Sequence, residues 1–168
     1  MKQSDTDPTP STATATSTAS DLFRVEFAPM VRLATLMTGS QDVAEELVMD
    51  SFTRVAPLVD ELDRPGAYLR TTVVNAARSH LRQRRRRARR HPEPVALEVH
   101  DPEIDELWAR LSQLRPDERA CVVLRYYDDL PLADIAEQLD LPLGTVKSHI
   151  HRALATLRTL LTEEDDDA

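Results

Sequence analysis

The chain has 168 residues, of which 41% are hydrophobic and only 4% aromatic, and its formal net charge at pH 7 is −8. This length suits one domain or two small ones, and the scarcity of aromatic residues and glycine favours helices packed through Leu, Val and Ala. The single cysteine, Cys121, excludes a disulfide framework or a cysteine-based zinc site within the chain and is expected to be buried. Without a long apolar run or a secretory signal, the protein is expected to be soluble and cytoplasmic, with no membrane insertion.

The net charge conceals a strongly basic segment. The segment from Arg64 to Arg90, both included, contains ten arginines and no acid, whereas the chain on either side is acidic. Because salt screens charges beyond a Debye length of about 8–10 Å, the local charge decides which partner binds there. The segment is therefore a candidate site for a polyanion.

The chain begins with a low-complexity segment, residues 1–20, rich in Ser, Thr, Ala and Pro and expected to be disordered. A helix is predicted over 21–38 from its apolar spacing, with a kink or break at Pro29. A second helix is predicted over 41–56. Its polar face carries four acids, namely Asp42, Glu45, Glu46 and Asp50. That face is a candidate protein-docking surface, although a simple solvated surface is the alternative.

The basic segment is predicted to form a long helix from about residue 67 to 87, after a loop at 57–66. Seven arginines around its end neutralise phosphates but give no sequence selectivity. Asn75, in the middle of this helix, can read a base edge, and Tyr68 can stack on an unpaired base. The alternatives are a solvent-facing amide and a half-buried core tyrosine.

The second half of the chain is predicted to form a separate helical domain. Residues 91–103 contain three prolines and four acids and read as an extended linker. The second domain then covers 104–161, and an acidic tail covers 162–168.

Residues 130–157 have the pattern of a helix-turn-helix. In its first helix Leu132, Ile135, Ala136 and Leu139 share one face, and in its second helix Val146, Ile150 and Ala153 begin the buried stripe. The second helix is expected to start at Gly144–Thr145, with Thr145 as the N-cap. No acid occurs from 141 to 162, as a surface facing DNA phosphates requires. An ordinary surface helix hairpin is the alternative.

These segments together resemble a bacterial RNA polymerase sigma factor of the extracytoplasmic-function (ECF) group. DVAEELVMDSFTRV is similar to the family's polymerase-docking helix, and AYLRTTVVNAARSHLRQRRRR to its promoter-melting and minus-ten-reading helix. LRPDERACVVLRYYDDLPLADIAEQLDLPLGTVKSHIHRAL is similar to its minus-thirty-five-reading domain. The resemblance implies an all-α fold of two small domains, sigma domain 2 at 21–90 and sigma domain 4 at 104–161.

The resemblance also implies partners and site residues. The partners are core RNA polymerase, through its clamp and flap, promoter DNA, and a separate anti-sigma factor. The implied polymerase-binding residues are Glu45, Glu46, Leu47 and Asp50. The upstream promoter element would be read by Thr145, Lys147, Ser148, His149, His151 and Arg152. The downstream element would be held by Tyr68, Arg70, Asn75, Arg78, Arg82 and Arg85.

Four positions depart from the family's pattern. Met49 stands where the docking helix usually has Gln. Tyr68 is the single aromatic in the promoter-melting segment, where the family usually has several. His149 replaces a frequent arginine. Asp140 stands where the turn often has Gly, and because Asp tolerates the left-handed conformation the turn is expected to survive.

Two other functional classes are the alternatives to a transcription initiation factor. A stand-alone helix-turn-helix regulator usually binds as a dimer on a palindrome, and no dimerisation helix or ligand domain is visible. An enzyme would need a phosphate loop, a metal cluster or a nucleophile with its base, and the sequence offers none of these. We therefore expect no catalytic residue, no cofactor, no metal and no small-molecule substrate.

Overall fold

The computed structural model describes residues 12–88 and 102–166, and every element in these two ranges is helical. The first group of helices comprises α1 (Thr12–Thr38), α2 (Gln41–Val55), a 3-10 helix (Ala56–Glu61) and α3 (Pro65–Ala88). The second group comprises α4 (Pro102–Leu111), α5 (Pro116–Val122), a π-helical turn (Val123–Tyr127), α6 (Leu132–Leu139) and α7 (Leu143–Asp166).

Helix α1 begins earlier than the sequence analysis predicted. It starts at Thr12, so the last nine residues of the expected disordered tail are helical, while residues 1–11 lie outside the described ranges. Extending a helix that is already nucleated is easier than starting one, and the alanines of this segment favour the extension. Pro29 lies inside α1, which continues through it, so of the kink or break expected at this residue the break does not occur.

The turn from α1 to α2 follows from two residues, Gly39 and Ser40. Gly39 has φ +80°, a conformation in which a side chain would be strained. Ser40 caps α2, because its hydroxyl oxygen accepts a hydrogen bond from the backbone N–H of Val43 at 3.4 Å. The acid-bearing face of α2 therefore starts at a fixed place relative to α1.

The helix-turn-helix forms with the predicted stripe. Ile135 and Leu139 of α6 are buried, as are Val146, Ile150 and Ala153 of α7. Asp140 adopts φ 50° and ψ 53°, which confirms that it takes the left-handed conformation that the turn needs.

Helix α7 is longer than predicted at both ends. It begins at Leu143, and the N–H of Thr145 donates to the carbonyl of Pro142 at 2.8 Å, so Thr145 lies inside the helix and is not its N-cap. The backbone remains helical through Asp166, so most of the expected acidic tail belongs to α7. No Gly or Pro follows Gly144 to stop the helix.

The two groups of helices pack against each other. Helices α4 and α5 and the π-helical turn contact α1, and α5 also contacts α3. Their buried apolar side chains, including Met37, Val74, Trp108 and Leu124, belong to one cluster, and Cys121 is buried within it as expected. Helix α4 begins at Pro102, inside the expected linker, since Pro suits the first turn of a helix. The rest of that linker lies outside the described residues, so the domain boundaries stay predictions.

Candidate nucleic-acid interface

The candidate DNA-reading face of α7 is exposed and cationic. Lys147, Ser148 and His151 are exposed, while Thr145 and His149 are half-buried. The buried stripe of Val146, Ile150 and Ala153 packs α7 against the other helices of the second group, so the opposite face points outward. The hydroxyl of Ser148 donates to the carbonyl of Gly144 at 2.9 Å and therefore remains on the helix surface.

Arg152 is not a free cation on this face. Its Nε donates to Oε1 of Glu118 at 3.0 Å, and its Nη2 lies 2.9 Å from Nδ1 of His149. Because the guanidinium can only donate, Nδ1 of His149 acts as the acceptor in this contact. The other ring nitrogen, Nε2, then carries the proton and is a donor.

The middle of α3 lines a cleft between α2 and α3 with a volume of about 1110 Å³. Asn75 and Arg82, both predicted site residues, lie in its wall. The lining also includes Leu47, Arg54, Thr72, Ala76, Ser79, His80, Gln83 and Arg86, and none of these residues is acidic. The cleft combines phosphate-binding guanidinium groups with an amide that can hydrogen-bond to a base.

Arg54 and Arg86 were missed as contributors to this cleft. Arg54 lies two turns beyond Leu47 on α2, and a search of that helix face would have found it. His80 is flanked by cations in the same cleft. Burial and the neighbouring Arg84 and Arg87 lower the pKa of His80, while Glu46 on α2 acts in the opposite direction.

The other residues predicted to hold the downstream element lie in different surroundings. Tyr68 is 47% exposed at the start of α3, so its ring is accessible for stacking and is not a core tyrosine. Arg70 and Arg78 instead contact the second group of helices: Nε of Arg70 lies 2.8 Å from Oδ2 of Asp128, and Nη1 of Arg78 donates to the carbonyl of Leu139 at 2.6 Å. The side chain of Arg85 lies outside the described part.

The candidate docking face of α2 is accessible. Glu45, Glu46 and Asp50 are exposed, and Met49 between them is 45% exposed. Leu47 is half-buried and faces the cleft, so it lies beside this surface rather than at its centre. Three carboxylates around an exposed apolar side chain suit a partner that is basic with an apolar contact point.

The described residues form neither a metal site nor a membrane-spanning helix. No group of three or more His, Cys, Asp and Glu side chains there could hold a metal ion. None of the helices in 12–88 and 102–166 is long and apolar enough to cross a membrane.

Two family models match the chain. Residues 22–87 match the model described as Sigma-70 region 2, and residues 104–157 match Sigma-70, region 4. The first match covers most of α1 and all of α2, with nearly all of α3, and the second covers α4 through most of α7. Both candidate interfaces therefore lie in segments that the family models recognise.

Solved structures share the fold. A sigma factor RpoE, in complex with the anti-sigma factor NepR from Bartonella quintana, has a TM-score of 0.69 at 23% identity, covering 85% of this chain and 96% of that one. CnrH, in complex with the cytosolic domain of CnrY, has a TM-score of 0.63 at 24% identity, covering 92% of this chain and 96% of that one.

Curated relatives are similar along most of the chain. An RNA polymerase sigma-E factor of Streptomyces avermitilis is 31% identical over 147 residues, which cover 82% of this chain and 79% of the relative. The ECF RNA polymerase sigma factor SigE of Mycolicibacterium smegmatis is 30% identical, and the match covers 88% of this chain and 63% of the relative. The chain therefore belongs to the sigma-70 family of RNA polymerase sigma factors, in its extracytoplasmic-function group, and is a transcription initiation factor.

Proposed function

We propose that this chain joins core RNA polymerase and directs it to promoters through two separate readers, α3 for the downstream element and α7 for the upstream element. The cleft on α3 carries this proposal, because it brings Asn75 together with Arg54, Arg82 and Arg86 in a wall without acids. Guanidinium groups that hold phosphates, beside an amide that can read a base, are what a protein needs to capture a single strand in register.

The downstream reader would act after the duplex has melted. Exposed Tyr68, at the start of α3, would stack on a base flipped from the nontemplate strand, and Asn75 would hydrogen-bond to a base edge. Flipping a base costs a few kcal/mol, which stacking and hydrogen bonds offset. With a single aromatic in this part of α3, the arginines of the cleft would supply most of the remaining affinity.

The upstream reader would bind DNA as a duplex. An α-helix fits the major groove, and the exposed face of α7 presents Lys147, Ser148 and His151 to it. His149 would add one donor through Nε2, because Nδ1 is engaged by Arg152. Thr145 and Arg152 lie at the edge of this face, and Arg152 would approach a phosphate while it remains bound to Glu118.

The docking surface would be the acidic face of α2, with Glu45, Glu46 and Asp50 against the polymerase clamp and Leu47 as an apolar neighbour. The second group of helices would contact the flap. Polymerase performs the chemistry, so we assign no catalytic group, cofactor or small-molecule substrate to this chain. We further propose that a separate anti-sigma factor is a partner of this chain. The chain would act in the cytoplasm, beside the polymerase.

The experiment compares holoenzymes assembled with wild-type chain, Asn75→Ala or Lys147→Ala on two forms of one promoter, a duplex and a premelted form. We expect Asn75→Ala to weaken the complex on the premelted form and Lys147→Ala to weaken it on both forms. Equal losses from both variants on the two forms would refute separate readers. A stand-alone regulator, the alternative class, would bind duplex DNA equally well without core polymerase.

A further inference from the structure

Three polar side chains of the second group of helices form a chain of hydrogen bonds that ends at the DNA-reading face of α7. Oε1 of Glu118 accepts from Nε of Arg152 at 3.0 Å. Nη2 of Arg152 in turn lies 2.9 Å from Nδ1 of His149. Because a guanidinium has donors and no acceptor, Arg152 donates in both contacts and links a carboxylate to a ring nitrogen.

Glu118 is the fixed end of this chain of hydrogen bonds. It lies in the first turn of α5, where its other oxygen, Oε2, accepts from the backbone N–H of Arg115 at 3.4 Å. Only 8% of its side chain is exposed, against 54% for Arg152. A buried carboxylate that already holds two donors has little freedom to move, so it restrains Arg152 through Nε and leaves Nη2 to reach His149.

His149 and Arg152 are neighbours on one edge of α7. His149 precedes Arg152 by three residues and follows Thr145 by four, and these spacings place side chains on the same side of a helix. His149 is half-buried, whereas Ser148 next to it in the sequence is exposed. The imidazole therefore lies at the border between the packed side of α7 and the side that would face DNA.

The contact with Arg152 decides which nitrogen of His149 carries the proton. A neutral imidazole has one donor and one acceptor nitrogen, and the hydrogen bond at one nitrogen sets the state of the other. With Nδ1 accepting from Arg152, the proton lies on Nε2. The reverse tautomer would direct an N–H of His149 at an N–H of Arg152, and both groups would lose a partner. His149 therefore offers DNA a donor and no acceptor.

A donor without an acceptor discriminates among the bases. In the major groove guanine presents two acceptors, N7 and O6, whereas cytosine presents the N4 amino group, a donor. Adenine places its N6 donor beside N7, and thymine places a methyl group beside O4. The Nε2–H of His149 thus suits guanine best and cytosine worst. An imidazole free to change tautomer would discriminate less, because its Nε2 could then accept from cytosine.

We propose that His149 is a specificity-determining residue that selects guanine over cytosine at one position of the upstream element. Glu118 and Arg152 are its positioning residues, because together they hold the proton on Nε2. The inference rests on the proposed function of α7 as the upstream reader. It also gives a reason for the histidine, since an arginine in its place would have no acceptor for Arg152.

The first measurement determines the tautomer of His149 in the free, full-length chain. Long-range nitrogen–proton correlation spectra distinguish the two neutral tautomers of a histidine, and a His149→Gln variant assigns the signals. At pH 8 we expect the Nε2–H tautomer alone in the wild type and a mixture of both tautomers in Arg152→Met. Arg158→Met, which removes another exposed cation of α7, is the charge-matched control and should give the wild-type spectrum.

The second measurement determines the base preference of the holoenzyme. A duplex promoter fragment from run-off mapping is changed one base pair at a time through its upstream element, and the Kd of each fragment is measured below the temperature of promoter melting. At one position we expect the wild type to bind guanine about tenfold more tightly than cytosine. Arg152→Met should lower that ratio to about threefold or less, His149→Ala should abolish it, and Arg158→Met should keep it. Glu118→Ala, which frees Arg152, should give a ratio between those of wild type and Arg152→Met.

Several results would overturn the proposal, at a temperature where thermal melts show each variant folded. One is a mixture of tautomers in the wild type, or the same tautomer in the wild type and Arg152→Met. A second is a guanine-to-cytosine ratio that Arg152→Met and Glu118→Ala leave unchanged. A third is the absence of any position at which His149→Ala alters the preference, since His149 would then contact only the DNA backbone.

These results differ from a failure of the proposed function itself. Lys147→Ala removes an exposed cation of the same face and should weaken binding of every duplex fragment by a similar factor. If Lys147→Ala binds all fragments as the wild type does, α7 is not the upstream reader. If it weakens them all while His149→Ala changes no preference, α7 is the reader and the role assigned to His149 is wrong.

Discussion

Glu118 binds Arg152 while it caps the helix on which it lies. One carboxylate oxygen accepts from Nε of Arg152 at 3.0 Å, and the other accepts from the backbone N–H of Arg115 at 3.4 Å. Only 8% of the Glu118 side chain is exposed, against 54% for Arg152. The pair therefore joins the start of α5 to the middle of the proposed DNA-reading helix α7.

Replacing Glu118 should reduce stability. Glu118→Ala removes a cap interaction and leaves Arg152 without its carboxylate, so we expect the free energy of unfolding to fall by about 1–2 kcal/mol in a urea titration. Glu137→Ala, an exposed acid on α6, is the matched control and should change it by less than about 0.5 kcal/mol. Equal effects of the two substitutions would show that the Glu118 contacts contribute nothing measurable.

Lys147 and Arg152 of α7 should differ in how much each stabilises the fold, as measured by the urea midpoint. Lys147 is exposed, so Lys147→Ala should weaken duplex binding by the holoenzyme and leave the urea midpoint unchanged. Arg152→Ala should weaken duplex binding and also lower the midpoint, because Glu118 loses its partner in the interior. If Arg152→Ala proves as stable as Lys147→Ala, Arg152 is only a surface cation.

Reversing charge on α2 should weaken docking on polymerase. Glu46→Lys with Asp50→Lys changes two exposed acids off the buried stripe, so we expect association with core polymerase to weaken by about 1–3 kcal/mol. A pull-down measures the association, and a thermal melt checks folding. Asp60→Lys with Glu61→Lys, exposed acids of the 3-10 helix, serves as the control. An unchanged pull-down for the first pair would remove this face from the proposal.

Cys121 should be unreactive in the folded chain. Burial raises the pKa of its thiol to about 12, so almost no thiolate is present at pH 8. A thiol reagent should therefore modify it only after urea unfolding. Between about pH 9 and 12 the unfolded thiol ionises while the folded one does not, so this group favours unfolding as pH rises in that range. Rapid modification at pH 8 without denaturant would contradict this account.

Local sequence signals were sufficient for the helix-turn-helix. Apolar spacing gave the faces of α6 and α7, and Asp140 took the left-handed conformation that short polar side chains tolerate. The start of α7 was misplaced because Gly144 and Thr145 resemble a cap, whereas the helix already begins at Leu143. Helix ends depend on weak, competing capping preferences, so such errors are small and local.

The contact between the two groups of helices had no such signal. Arg78 and Arg82 lie one turn apart on α3 and look alike in the sequence, yet Arg78 is held by Leu139 and Arg82 lines the cleft. What separates them is the position of α5 and α6, which is set by packing between residues far apart in the chain. The spacing around Gly39 likewise gave no indication that Trp108 would pack on it.

We expect this chain to give core polymerase a promoter specificity through α3 and α7. Run-off transcription on genomic fragments, followed by mapping of the start sites, measures that specificity. We predict start sites that require the chain and that share two sequence elements at a constant spacing, with initiation reduced by Asn75→Ala or Lys147→Ala. Start sites identical to those of core polymerase alone, or sites without any shared upstream elements, would contradict the account.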